Sequence, residues 1–160
     1  MIVDLRENEG GILPIAIRMI NEFLPEGKLI LYTQGKASPR MDYNSNGKGK
    51  YQQLPLTVLI DEASASASEI FAGAIQDYGL GSIVGTTTYG KGIVQQIFDL
   101  GDGTCVKLTM AEYYTPNGRN IHKKGITPDV EVEYQQDENN PNADNQLDAA
   151  LEQVRNKINQ

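Results

Sequence analysis

The feature that most constrains the fold of this chain is the alternation of short apolar runs with segments of helical periodicity. Apolar runs with β-branched residues, bounded by turn residues, are typical of strands. They cover residues 2–5, 28–33, 54–60 and 82–85. Between them, apolar residues recur every three or four positions, which predicts amphipathic helices. Two such sets are Leu13, Ile17, Ile20 and Leu24, and Ile70, Phe71, Ala74 and Ile75. The sequence therefore predicts an α/β domain, with a mixed β-sheet flanked by helices.

The rest of the chain adds a hairpin, a final helix and two polar stretches. Apolar alternation on both sides of Gly101-Asp102-Gly103 predicts a hairpin over residues 93–109. Residues 34–50 are polar, rich in Gly and Asn and without periodicity, which predicts a long surface loop. The remaining predicted segments are strands at 110–114 and 130–132, an acidic linker at 135–144 and a helix through Leu147, Leu151 and Val154.

Composition excludes several partners and cofactors. A net charge of −7 disfavours nucleic acid and anionic membrane surfaces, which need clustered Lys and Arg. Cys105 is the single cysteine and His122 the single histidine, too few for a typical zinc site, so we expect no metal and no cofactor. The sequence has neither a run of roughly 20 apolar residues nor a signal-peptide pattern.

The length of 160 residues predicts one domain, residues 1–160. A strand that begins at residue 2 suggests that this domain is cut from a longer protein.

Ser66 opens the second predicted helix and permits two interpretations. Ser66-Ala67-Ser68-Glu69 fits the S-x-x-E capping box, in which the serine caps the helix and the glutamate reaches back. A serine at a strand-to-helix turn also lies beside amide N–H groups and the positive end of a helix dipole, where an oxyanion would be stabilised. Ser66 is therefore a candidate helix cap and a candidate nucleophile.

A nucleophilic serine needs a base, and the sequence offers two candidates. His122 lies in a polar loop and is the weaker one. Lys91 is the only charged residue between Asp77 and Asp99, which predicts a buried lysine that could act as a neutral amine. Gln95, four residues further on, could hydrogen-bond the amine; the alternatives are an ordinary loop lysine and an exposed strand glutamine.

Residues 85–91 also spell G-x-x-x-x-G-K, which approaches a phosphate-binding P-loop. The next residue is Gly92, where a Ser or Thr should bind magnesium. Residues 93–98 have strand periodicity, where a helix N-terminus should face the phosphates. These departures disfavour nucleotide binding.

Motifs along nearly the whole chain resemble the carboxyl-terminal processing, or tail-specific, proteases of the S41 type. The resemblance rests on Asp4-Leu5-Arg6 with Asn8 and Gly10-Gly11, on Ser64 to Glu69 with Ala72-Gly73-Ala74 and Asp77-Tyr78-Gly79, on Gly85 to Gln95, on Tyr113 to Arg119, on Gly125-Ile126 and on Pro128-Asp129. It implies the α/β core that this family shares with Clp-type proteases and crotonases.

Position by position, the resemblance implies that Ser66 is the nucleophile, Lys91 the general base and Gln95 the residue that orients Lys91. It implies a backbone oxyanion hole formed by Ala67 and by one of Gly10 and Gly11. The expected activity is a serine endopeptidase that cleaves protein or peptide substrates near their C-termini.

Family members usually have a PDZ domain and further strands upstream of these motifs and work in the bacterial envelope, periplasm or a comparable extracytoplasmic space. The resemblance therefore implies a PDZ domain in the parent protein, and self-association into a homo-oligomer is compatible with it. The alternative function is a non-catalytic binding or scaffold domain that keeps the fold, with Ser66 acting only as a helix cap.

Overall fold

A computed structural model describes residues 1–36 and 38–159. In chain order the elements are β1 (Ile2–Asp4), α1 (Leu13–Asn21), β2 (Leu29–Gln34), β3 (Met41–Asn44), β4 (Leu56–Ile60), α2 (Ala67–Asp77), β5 (Gly81–Gly85), β6 (Ile93–Asp99), β7 (Cys105–Tyr114), β8 (Val130–Glu131) and α3 (Asn145–Ile158). The predicted α/β class is confirmed. No helix in the described part of the chain is long and apolar enough to cross a membrane.

The strands form two four-stranded sheets. One is parallel, in the order β1-β4-β5-β8, and the other is antiparallel, in the order β3-β2-β7-β6. The sequence predicted one mixed sheet, because apolar alternation identifies a strand without identifying its neighbours. The hairpin prediction is confirmed, and its second strand continues without interruption through the segment predicted separately at 110–114.

Both faces of the parallel sheet are covered, which explains why its central strand is apolar throughout. Every residue of β4 is buried. Val58 and Ile60 belong to the main core with Phe71 of α2, whereas Leu59 points the other way and packs with Ala150 of α3. Helix α2 contacts both sheets, through β5 and β2, so it forms the central layer of the fold.

The stretch predicted as a surface loop, residues 34–50, contains strand β3, so this prediction is wrong for its middle. β3 pairs with β2 in antiparallel register, and Tyr43 packs partly against the main core. Arg40 lies 3.8 Å from the centre of the Tyr32 ring and binds Asp42. A four-residue strand with one inward-facing apolar residue is too short for periodicity to reveal. Ala37 of this stretch lies outside the described residues.

Arg6 fastens the first strand to the last helix. Its guanidinium donates to Asp4 next to it and to Asp144 and Gln146 at the start of α3. Asp144 also caps α3 by accepting from the backbone N–H of Leu147 at 2.9 Å. The hydrogen bond from Arg6 lowers the pKa of Asp144. The role of Arg6 in this structure is therefore structural.

Candidate active site

The candidate site forms where three neighbouring strands of the parallel sheet end. β1, β4 and β5 run into residues 5–11, 61–66 and 86–92 respectively, and the carboxyl ends of parallel strands share one edge of a sheet. Hydrogen bonds tie the three segments together. Ser64 Oγ donates to the Leu5 carbonyl at 2.7 Å, and the Tyr89 amide donates to the Ser64 carbonyl at 3.0 Å.

Ser66 lies at a strained turn between β4 and α2. Its φ of 57° and ψ of −113° are unusual for a residue with a side chain. The turn is closed by the Ser68 amide, which donates to the Ala65 carbonyl at 3.1 Å. Ser66 and Glu69 are arranged as in a capping box, and the Glu69 carboxylate accepts from the Ser66 backbone N–H. The Ser66 hydroxyl itself makes no capping hydrogen bond within the described residues, and Ser66 is only half-buried. The hydroxyl is therefore available to a bound molecule.

Gly10 lies directly against this turn. Its φ of 96° favours glycine, and a Cβ there would lie 2.5 Å from the Ala65 carbonyl oxygen and 2.8 Å from the Ala67 nitrogen. The Gly10 amide donates to Asn8 Oδ1 at 2.9 Å. Gly11 has open space around it, and its amide has no partner among the described residues. Of the two glycines, Gly11 is thus the one with a free N–H.

Glu69 holds the serine turn and the lysine loop together. Its carboxylate is completely buried and accepts four hydrogen bonds. Oε2 accepts from the backbone N–H groups of Ser66 at 2.8 Å and Lys91 at 2.9 Å. Oε1 accepts from Thr88 Oγ1 at 2.6 Å and the Gly90 amide at 2.8 Å. The backbone N–H groups of Ser66 and Lys91, which are 25 residues apart in the chain, therefore meet at one carboxylate oxygen.

Lys91 is exposed, so the prediction of a buried lysine is wrong. Its backbone is fixed by Glu69, but its side chain borders an open cavity of about 930 Å³. The cavity is also lined by Glu9, Glu62, Tyr89, Ile93, His122 and Lys123, among others. Lys91 follows the end of a strand, where a side chain is buried only if another segment of the chain packs over it. The absence of charged residues near Lys91 in the sequence gives no information on such packing.

Gln95 and His122 lie at different parts of this region. Gln95 is exposed on β6, opposite Thr109, beside a bulge in the β6–β7 pairing. No hydrogen bond joins Gln95 to Lys91 among the described residues. His122 is half-buried and borders the cavity with Lys91, and its Nδ1 is buried without a partner in the described part of the chain.

The sequence interpretation did not recognise the bridging role of Glu69 or the contribution of Thr88. It assigned Glu69 to the capping box, which is one of its four contacts. The available signal was a charged residue directly before Ile70 and Phe71, two of the apolar residues that mark the buried face of the helix. Buried carboxylates are almost always bound by several donors, so this position pointed to a network.

The structure also bears on cofactors and nucleotides. Among residues 1–36 and 38–159, no group of three His, Cys, Asp or Glu side chains could hold a metal ion. After Gly92 the chain continues as strand β6, and no helix begins there. The arrangement that a P-loop requires is therefore missing from residues 85–98.

Comparison with known proteins assigns the family. A model of peptidase family S41 matches residues 1–132, so the chain belongs to this family, which includes the C-terminal processing serine proteases. The carboxyl-terminal-processing protease of a Synechocystis species is 42% identical over 132 residues, which cover 82% of this chain and 30% of that protein. A probable CtpA-like serine protease of Staphylococcus epidermidis is 39% identical over 133 residues, 82% of this chain and 27% of that protein.

Solved structures confirm the fold. The photosystem II D1 C-terminal processing protease superimposes with a TM-score of 0.78 at 36% identity, over 82% of this chain and 34% of that one. The predicted Clp- and crotonase-like core of S41 peptidases is thereby confirmed. The chain spans about 30% of the length of the Synechocystis relative and 27% of the staphylococcal one.

Proposed function

We propose that this chain is a serine endopeptidase of the C-terminal processing type, with Ser66 as nucleophile and Lys91 as general base. The observation that supports this most directly is the shared carboxylate oxygen of Glu69, which brings the backbones of Ser66 and Lys91 within two hydrogen-bond lengths of each other. The strained turn supports the same assignment, because a helix cap alone does not require positive φ at Ser66.

In the proposed reaction, Ser66 Oγ attacks the carbonyl carbon of a peptide bond while the Lys91 amine takes its proton. The Ala67 amide, the first of helix α2, and the Gly11 amide would stabilise the oxyanion, since the Gly10 amide is already bound to Asn8. The Lys91 ammonium then protonates the leaving amine. Water deprotonated by Lys91 hydrolyses the acyl-enzyme and restores Ser66.

Lys91 must be neutral to accept the serine proton. A peptide that fills the cavity next to Lys91 would exclude water from the amine and favour its neutral form. Gln95 would orient the amine once substrate is bound. The exposed Lys91 side chain is also the observation that favours the alternative, a non-catalytic binding domain.

The proposal extends to the context of the domain. Residues 1–160 would form the catalytic core of a protein that also has a PDZ domain. This protein would act on protein or peptide substrates in an extracytoplasmic compartment. Its self-association into a homo-oligomer is compatible with the proposal. Family membership and the names of the relatives support this, since they are described as carboxyl-terminal-processing and CtpA-like proteases.

Cleavage of an unstructured peptide with an apolar C-terminus tests the mechanism. Ser66→Ala, Lys91→Ala and the double variant should each lose about 10³-fold or more in kcat/KM, and the losses should not add, because residues of one catalytic unit fail together. Lys91→Arg should be equally inactive, since guanidinium stays protonated.

Lys124→Ala is the matched control, because Lys124 is exposed in the next loop and takes no part in the mechanism. This variant should keep wild-type activity. Thermal melts of each variant separate loss of folding from loss of catalysis. Cleavage retained in well-folded Ser66→Ala would overturn the mechanism.

A further inference from the structure

His122 is the only histidine of the chain and takes no part in the proposed reaction. Its ring is half-buried and borders the large cavity together with Lys91. Ring atom Nδ1 is buried and has no hydrogen-bond partner in the described part of the chain. Nε2 is not buried, and of the hydrogen bonds among the described residues His122 makes one through its backbone N–H but none through Nε2. A polar ring without partners at the wall of an open cavity is a candidate ligand-binding group.

The backbone of His122 is held directly against the lysine loop. Its N–H donates to Asn120 Oδ1 at 2.7 Å. The amide of the next residue, Lys123, donates to the Gly90 carbonyl at 2.8 Å. A Cβ at Gly92 would lie 2.3 Å from the His122 nitrogen, so only a glycine allows the two segments to lie this close. The ring therefore borders the cavity from a fixed backbone position.

The burial of Nδ1 determines which nitrogen carries the hydrogen of the neutral ring. A neutral imidazole has one N–H donor and one acceptor nitrogen. Buried N–H groups without an acceptor are rarer in proteins than buried acceptors without a donor. The structure therefore favours the hydrogen on Nε2. In this tautomer Nε2 cannot take a proton from Ser66, so His122 does not compete with Lys91 as the base, and it offers a neutral donor to the cavity.

The part of a substrate that reaches His122 is the segment released first. The amine that protonates the leaving nitrogen must lie beside that nitrogen, so the cavity next to Lys91 holds the residues that follow the cleaved bond. Each of these residues has a main-chain carbonyl. A carbonyl that loses its water on entering the cavity needs a donor from the protein.

We infer that His122 Nε2–H donates a hydrogen bond to a main-chain carbonyl of the substrate segment released first. His122 is then a substrate-binding residue next to the general base, and it acts on peptides regardless of their side chains. The inference rests on the proposed function and adds to it a further residue of the site.

Three substitutions separate the donor from the rest of the ring. The amide nitrogen of glutamine reaches about the position of Nε2 and that of asparagine about the position of Nδ1, whereas leucine has no donor. With the unstructured peptide described above, His122→Gln should keep kcat/KM within about threefold of wild type. His122→Asn and His122→Leu should each lose about tenfold, mainly through KM, since one binding hydrogen bond is lost. A general base at this position would instead lose about 10³-fold or more in all three variants.

Peptides that lack one acceptor identify the carbonyl. In each of three peptides, one of the first three peptide units after the cleaved bond is replaced by a trans alkene, which keeps the shape but has no carbonyl. At one of these positions the loss in kcat/KM should be about tenfold larger for wild type than for His122→Leu, because the two partners form one interaction. His122→Asn provides the same comparison if His122→Leu does not fold in thermal melts.

Lys124→Ala is again the matched control, since Lys124 is exposed two residues further on and does not line the cavity. It should leave all of these values unchanged. The inference is overturned, and the proposed function left standing, by Ser66-dependent cleavage that His122→Leu and His122→Asn do not weaken, that a folded His122→Gln fails to preserve, or that shows no such coupling at any position. Absence of Ser66-dependent cleavage from the whole series would overturn both.

Discussion

Glu69→Gln replaces one acceptor oxygen of a buried carboxylate with an NH₂ group. The carboxylate binds four donors, and a glutamine oxygen can keep only two of them, for example the Ser66 and Lys91 amides. Its NH₂ would then face the Gly90 amide and the Thr88 hydroxyl, which both donate to Glu69. Hydrogen bonds to a charged group contribute about 1.5–3 kcal/mol each.

Two lost bonds therefore lower the free energy of unfolding by about 3–6 kcal/mol. We expect the lower end, because the Thr88 hydroxyl can rotate and accept from the new NH₂. For a chain of this size, 3 kcal/mol corresponds to a decrease of roughly 6–12 °C in melting temperature. The amides of Gly90 and Lys91 should also exchange with solvent faster, since the loop that they belong to loses part of its anchor.

Thermal melts and amide hydrogen exchange measure both effects. Glu9→Gln makes the same chemical change at an exposed position that borders the same cavity, and it should change stability by no more than about 0.5 kcal/mol. A Glu69→Gln protein that melts within about 2 °C of wild type, with unchanged exchange at Gly90 and Lys91, would refute the assignment of Glu69 as the link between the two segments.

Two further predictions concern backbone strain and pH. Ser66→Gly should be more stable than Ser66→Ala by about 1–2 kcal/mol, because glycine adopts φ of 57° without strain while both variants lack the hydroxyl; equal stabilities in urea unfolding would argue against a strained turn. Arg6 lowers the pKa of Asp144, so this aspartate contributes stability that is present above about pH 4 and is lost as the pH falls through its folded pKa. Arg6→Met should therefore flatten the dependence of unfolding free energy on pH between about 4 and 2, and parallel curves for the two proteins would contradict this.

The sequence was sufficient for elements whose pattern is local. β4 was predictable from its continuous apolar run, and α2 from apolar residues that recur at helical spacing. The hairpin was predictable because Gly101-Asp102-Gly103 separates two segments in which apolar and polar residues alternate. Ser66 could be chosen as a candidate because a serine preceding a helix has few roles. β3 was missed because its position depends on pairing with β2, which no local pattern encodes.

The surroundings of the candidate residues were harder to predict than their identity. The exposure of Lys91 depends on which segments reach the end of β5. Three of the four donors to Glu69 come from one loop, 19 to 22 residues further along the chain. The choice between Gly10 and Gly11 likewise needed the contact between Gly10 and Asn8. Tertiary contacts of this kind are not recorded in spacing or composition, so only the folded arrangement could provide them.

The position of the site at the ends of three parallel strands also determines when it can appear during folding. Ser64 and Leu5, which bond to each other beside the site, are 59 residues apart in the chain. Contacts between such distant residues form slowly, since a long loop must close before any pairing compensates for the lost entropy. No isolated segment of the chain contains the site. A partly folded chain, including one still emerging from the ribosome, should therefore lack it until β1 has paired with β4.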